Sequence, residues 1–146
     1  MNPRTSKAKG RRLQNWVRDK LRYAFITAWS KIPKLEEEDI KSQTMGMPGE
    51  DIILTPAAKR IIPYSFECKN VEKLNVWSAI EQAETNCPSK CTPVTVIKRN
   101  RSKVYAIMQF DDWMKLIGGK NEPVQVSNSK SRSSKSNGSS NHSLGS

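Results

Sequence analysis

The hydrophobic period of this chain changes near Pro33, and that change restricts the fold more than any other feature. Before it, Leu13, Trp16, Val17, Leu21, Ala24, Phe25 and Ala28 recur at spacings of three and four, one apolar stripe on a helix predicted over residues 10–30. Arg11, Arg12, Arg18 and Arg22 lie largely off that stripe. Pro33 stops the helix, and residues 35–39 add at most one further turn. After it the signals are short and strand-like. Residues 51–55 read as a buried strand behind a Gly/Pro turn at 46–49, and residues 64–69 alternate as a second strand. Residues 56–60 form a helical turn or a loop between them. Asn75 is a good N-cap for a helix reaching residue 86, with Val76, Ile80 and Ala83 as its apolar face. Strands are predicted at 92–98 and 104–108, joined by a basic turn at 99–103, and Asp111 or Asp112 caps a last short helix carrying Trp113, Leu116 and Ile117. The order is α/β or α+β in class: a mixed β-sheet flanked by helices.

The 146 residues suit one such domain. Residues 1–9 are expected to be a flexible basic N-terminus, 10–117 the folded domain, and 118–146 a disordered basic tail, half serine over its last twenty positions. No apolar run approaches the ~18 residues of a membrane span, and no signal peptide is expected. Three cysteines fit a reducing compartment, so a cytoplasmic location is expected. Cys87 and Cys91, with no histidine near, read as ordinary reduced thiols.

Charge is segregated. The net +11 comes mostly from residues 1–22, at +7, and 127–146, at +3, around a centre of only +1. Basic ends point to a polyanion, and nucleic acid is the default partner. Arg11 and Arg12 on the first helix, with Lys98, Arg99, Arg101 and Lys103 about the last hairpin, are the residues expected to neutralise phosphates without reading bases. The single histidine, His142, lies in the tail, which excludes His-bearing triads, zinc sites and nucleases from the folded part. Trp16, Trp29, Trp77 and Trp113 fit core or dimer contacts better than base-stacking platforms.

Chemistry concentrates on the strand 64–69. Alternation puts Tyr64, Phe66 and Cys68 on a packing face and Ser65, Glu67 and Lys69 on the other, with Glu67 and Lys69 roughly 6–7 Å apart along the strand. One Glu-x-Lys is what chance supplies in a chain of this composition; its weight comes from following a strand headed by Asp51. Two carboxylates beside an ammonium suit a hard cation such as Mg²⁺, which keeps waters and takes substrate phosphate. The plain alternative is an exposed ion pair on a sheet.

The ordered set Lys9-Gly-Arg-Arg-Leu-Gln14, Met45-Gly-Met-Pro-Gly-Glu-Asp51, Phe66-Glu-Cys-Lys-Asn70 and Lys98-Arg-Asn-Arg101 resembles the PD-(D/E)XK nuclease superfamily. Within it, the set is similar to phage Holliday junction resolvase-like endonucleases and free-standing phage homing endonucleases. The resemblance covers about residues 9–117. It implies a restriction-endonuclease-like core and an Mg²⁺-dependent endonuclease, with Mn²⁺ substituting. It makes Asp51, Glu67 and the Cys68 carbonyl metal ligands and Lys69 the group that orients or deprotonates water. Gln82 matches a polar position lining such sites, or else is a solvated glutamine; Glu50 is a spare ligand or an exposed turn residue. Many resolvases place a helix Glu where Gln14 stands, and Thr44 and Gly46 match their Ser-Gly only loosely. Cutting two strands implies a homodimer with DNA as partner, in the host cytoplasm if phage-encoded. The rival reading is a non-catalytic nucleic-acid-binding module with Asp51, Glu67 and Lys69 as surface ion pairs.

Overall fold

A computed structural model describes residues 2–28 and 34–119. Backbone contacts divide the chain into two units, residues 1–113 and 114–146. In the first, α1 runs from Pro3 to Arg22 and continues as a π-helical stretch, Tyr23–Ala28. The helix thus begins seven residues before its predicted start, and residues 3–9, expected to be loose, form its first two turns. The local cause is Asn2, whose side chain accepts the Arg4 N–H at 2.9 Å, with Pro3 pre-set for the first helical position. Lys20 and Arg22 occupy its last α-helical turn, where cations favour the dipole. Arg22 also donates to the Ile40 and Glu37 carbonyls, at 2.9 and 3.1 Å, and so pins the chain that follows.

A 3₁₀ turn, Glu37–Asp39, leads into β1 (Ile40–Ser42), a strand that periodicity did not indicate. It pairs antiparallel with β2 (Ile52–Leu54). The connecting loop holds Gly46 at φ 85° and Gly49 at φ 100°, conformations that only glycine adopts without strain. Gly49→Ala is therefore expected to lower stability by about 1 kcal/mol in urea unfolding. After β2 come α2 (Pro56–Ile61), capped by Thr55, then β3 (Tyr64–Asn70), α3 (Val76–Asn86), capped by Asn75, β4 (Thr92–Lys98) and β5 (Tyr105–Ile107). β3 and β4 pair in parallel across the α3 crossover, and β5 returns antiparallel to β4. The strands thus form two sheets, order β1-β2 and β3-β4-β5, where one was expected.

The core is drawn from both sheets and two helices: Leu13 and Val17 of α1, Ile40, Ile52 and Leu54 of the small sheet, Ala58 of α2, and Cys68, Val94 and Val96 of the larger one. Both faces of β3 are covered. Ser65 and Glu67 are more buried than Phe66, so the face opposite the predicted packing face is also an interior one. Trp16, Trp77 and Trp113 are exposed rather than core residues, Trp77 at 77%. Lys20 caps the Trp16 ring at 5.1 Å, and Trp113 packs on Phe110. Helix α4 (Phe110–Leu116) starts one residue before Asp111, which makes Asp111 and Asp112 first-turn residues rather than caps. In the second unit, Gly118 at φ 86° and Gly119 close the helix, their N–H groups donating to the Lys115 and Met114 carbonyls. Trp29, His142 and the tail from residue 120 lie outside the described residues. Among the described residues no helix is long and apolar enough to cross a membrane.

Candidate active site

Asp51 joins the two sheets. Its backbone N–H donates to the Phe66 carbonyl at 3.1 Å, and its carboxylate Oδ2 accepts the Cys68 N–H at 2.7 Å. The residue between those two partners, Glu67, therefore lies beside Asp51 by strand geometry. Glu67 is only 3% exposed. A carboxylate so buried needs partners, and it has two: Lys69 Nζ lies 3.3 Å from Oε2, and Asn86 Nδ2 donates to Oε1 at 3.3 Å. Lys69 sits two residues along β3 on the same face, as strand alternation requires. The backbone of Asp51 is held in turn by Gln14 on α1, whose Nε2 donates to the Asp51 carbonyl at 2.7 Å and the Gln43 carbonyl at 3.4 Å.

These groups border one cavity of about 420 Å³, lined by Gly10, Gln14, Asp51, Glu67, Cys68, Lys69 and Gln82 together with the loop residues 44–48. Every residue expected to hold metal or water is there. Gly10 lets α1 approach the loop closely, since a Cβ in its place would meet the Met45 methyl at 3.2 Å. Burial pushes the Asp51 carboxyl up to about 6; the Cys68 N–H opposes the rise, the Glu67 charge adds to it, and Lys69 offsets part. Burial, with the Asp51 and Glu67 charges, also raises the Cys68 thiol far above its ordinary range, so its sulfur stays protonated and its backbone carbonyl is the donor available. Two oxygen donors of like charge in a wet cavity, with a carbonyl nearby, match the needs of Mg²⁺. Among the described residues no three His, Cys, Asp or Glu cluster as a ready-made metal cage.

Glu50 does not belong to this cavity. Lys59 Nζ sits 2.9 Å from its Oε1, making it a half-buried ion pair rather than a ligand or an exposed turn residue. The nitrogen of the Gln14 amide is engaged by two backbone carbonyls; its oxygen, the atom that would ligate a cation, takes part in neither bond. Asn86 was not indicated by sequence, because nothing in the pattern marks the end of a helix as the contact for the strand that precedes it. The predicted phosphate contacts divide. Arg12, Lys98 and Arg101 line a separate cavity with Lys9 and Asn70, Arg99 borders an apolar one, and Arg11 and Lys103 are exposed and line none of these.

A mixed sheet bearing Glu-x-Lys beside a strand headed by an aspartate is the arrangement of the PD-(D/E)XK nuclease superfamily. Over residues 5–142 the sequence matches the family described as "Phage putative PDDEXK endonuclease". The chain belongs to this phage endonuclease family, and its α+β architecture is the restriction-endonuclease-like fold. No curated protein and no solved structure matches it.

Proposed function

We propose that the chain is a Mg²⁺-dependent DNA endonuclease that hydrolyses a phosphodiester with an activated water, Mn²⁺ substituting. The observation that carries this reading is the convergence of Asp51, Glu67, Cys68, Lys69 and Gln82 on one cavity. Asp51, Glu67 and the Cys68 carbonyl would hold the ion. When bound, a divalent cation lowers the pKa of a coordinated water and neutralises charge on a phosphoryl oxygen. Lys69, anchored by Glu67, directs its donors at the attacking water and steadies the charge developing on the phosphate. Asn86 fixes the Glu67 carboxylate, and Gln14 fixes the backbone from which Asp51 projects. Gln82 borders the mouth, where a substrate oxygen would pass. One site cuts one strand, so double-strand cleavage needs a homodimer. The substrate is a specific duplex, as for a homing enzyme, or a four-way junction, as for a resolvase. Both place the protein in the host cytoplasm.

The test is incubation of the full chain with plasmid and with a four-way junction, in Mg²⁺ or EDTA. Cutting is expected only with the metal, and Lys69→Ala should slow it about a hundredfold while DNA binding persists. Tight binding without cutting of either substrate would favour a non-catalytic nucleic-acid-binding protein.

A further inference from the structure

We infer that the chain has a second anion site beside the first, built to hold a neighbouring backbone phosphate of the same DNA strand; this rests on the nuclease reading above. It is a cavity of about 640 Å³ lined by residues of α1, the end of β3 and the turn between β4 and β5. Four cations border it, Lys9, Arg12, Lys98 and Arg101, against one carboxylate, Glu72.

Lys9 is the decisive residue. It is 5% exposed, and among the described residues its Nζ has no hydrogen-bond partner and only Glu72, at 3.9 Å, offers a long ion pair. A buried ammonium with only a long ion pair costs free energy, which an anion seated in the cavity would offset. A phosphate oxygen is an acceptor of the right charge. Glu72 does not satisfy Lys9 because 3.9 Å is beyond hydrogen-bond reach; the same carboxylate oxygen accepts the Asn100 N–H at 2.8 Å. That bond orders the turn in which Arg101 takes φ 62°, a left-handed conformation unusual for arginine, beside the cavity.

The position explains the ligand. Lys9 lines this cavity and Gly10 the active-site cavity; Asn70 lines this one and Lys69 the other. Asn70 Nδ2 donates to the Lys9 carbonyl at 3.1 Å, so the wall between the cavities is one hydrogen-bonded pair of residues. A strand whose phosphate lies against Lys69 passes next to Lys9.

The test is equilibrium binding of the full chain to a short fluorescein-labelled duplex in EDTA, with salt varied from about 50 to about 200 mM. Lys9→Met is expected to flatten the slope of log affinity against log salt by about 0.9 and weaken binding about tenfold at the lower salt. Arg101→Asn, which tolerates a left-handed backbone, should do likewise and carries the test if Lys9→Met does not fold. Lys41→Met, at a surface ion pair with Glu38, should leave the slope unchanged. Wild-type slopes in both Lys9→Met and Arg101→Asn overturn the site, as does a wild-type chain that binds no duplex. A fall in melting temperature with an unaltered slope overturns it too, reducing Lys9 to a structural partner of Glu72. Cleavage with Mg²⁺ alongside unaltered slopes would sink this site and leave the nuclease standing; lost slopes in a chain that never cuts would do the reverse.

Discussion

Asp51→Asn should abolish cutting, by a thousandfold or more on the order of magnitude expected for losing a charged group at the reacting centre, while leaving the fold at least as stable at pH 8. The two effects share one cause. The asparagine oxygen can still accept the Cys68 N–H that now reaches Oδ2 at 2.7 Å, so the join between the sheets survives. What disappears is a negative charge whose burial, beside Glu67, raises the carboxyl from 3.8 to about 6. A native pKa above the unfolded one means the native state holds the proton more tightly. Stability therefore falls as pH rises from about 4 to about 6, and the whole cost is present above that window. The shift corresponds to about 3 kcal/mol at most, reduced to about 1 kcal/mol by the open mouth of the cavity. Urea unfolding at pH 8 should thus show the variant about 1 kcal/mol more stable, a gain that vanishes near pH 4. Mg²⁺ should raise the melting temperature of the parent and not of the variant, because only a state that binds ligand is stabilised by it. A variant that cuts like the parent would remove Asp51 from the site. This is the expected signature of a group kept for function at the expense of stability.

The sequence made the catalytic strand legible because alternation is a local property: Glu67 and Lys69 share a face in any β-strand, and here their head groups meet at 3.3 Å. Helix α3 and strand β4 were equally readable, since Asn75 caps α3 and β4 spans the predicted 92–98; that β3 and β4 pair in parallel comes from the structure. Three things were not. β1 is three residues long, too short to show a period, and exists because it pairs with β2. The interior character of Glu67 depends on α3 folding back so that Asn86 reaches it, a contact across nineteen residues. Lys9 and Asn70 stood inside the quoted motifs, yet their roles follow from a hydrogen bond across sixty-one residues. Local pattern thus located the carboxylates; tertiary contacts decide what surrounds them.

Gln14 shows that difference most sharply, and Gln14→Glu is the second large effect expected. The change introduces the carboxylate that the resemblance to resolvases would place on this helix, so resemblance alone would suggest an improved metal site. The geometry argues otherwise. Gln14 is 3% exposed, and it is the nitrogen of its amide that faces the Asp51 and Gln43 carbonyls, at 2.7 and 3.4 Å. A carboxylate has no hydrogen to donate, so the Gln43 carbonyl loses this donor and the Asp51 carbonyl keeps only the Gln43 N–H, at 2.8 Å, while both meet a negative charge close to those of Asp51 and Glu67. The expected loss is about 3 kcal/mol in urea unfolding at pH 8 in EDTA, mostly from one unpaired buried charge, with two lost hydrogen bonds adding to it. Lowering the pH to 5 should return part of it, because a protonated carboxyl can again donate to Asp51. Mg²⁺ should return part as well if the new carboxylate reaches the ion. Undiminished stability at pH 8 would mean that the amide does not hold Asp51 in place. In this chain, then, the helix residue acts through the backbone of Asp51 as well as lining the cavity, and the position of Asp51 depends on a neutral donor remaining there.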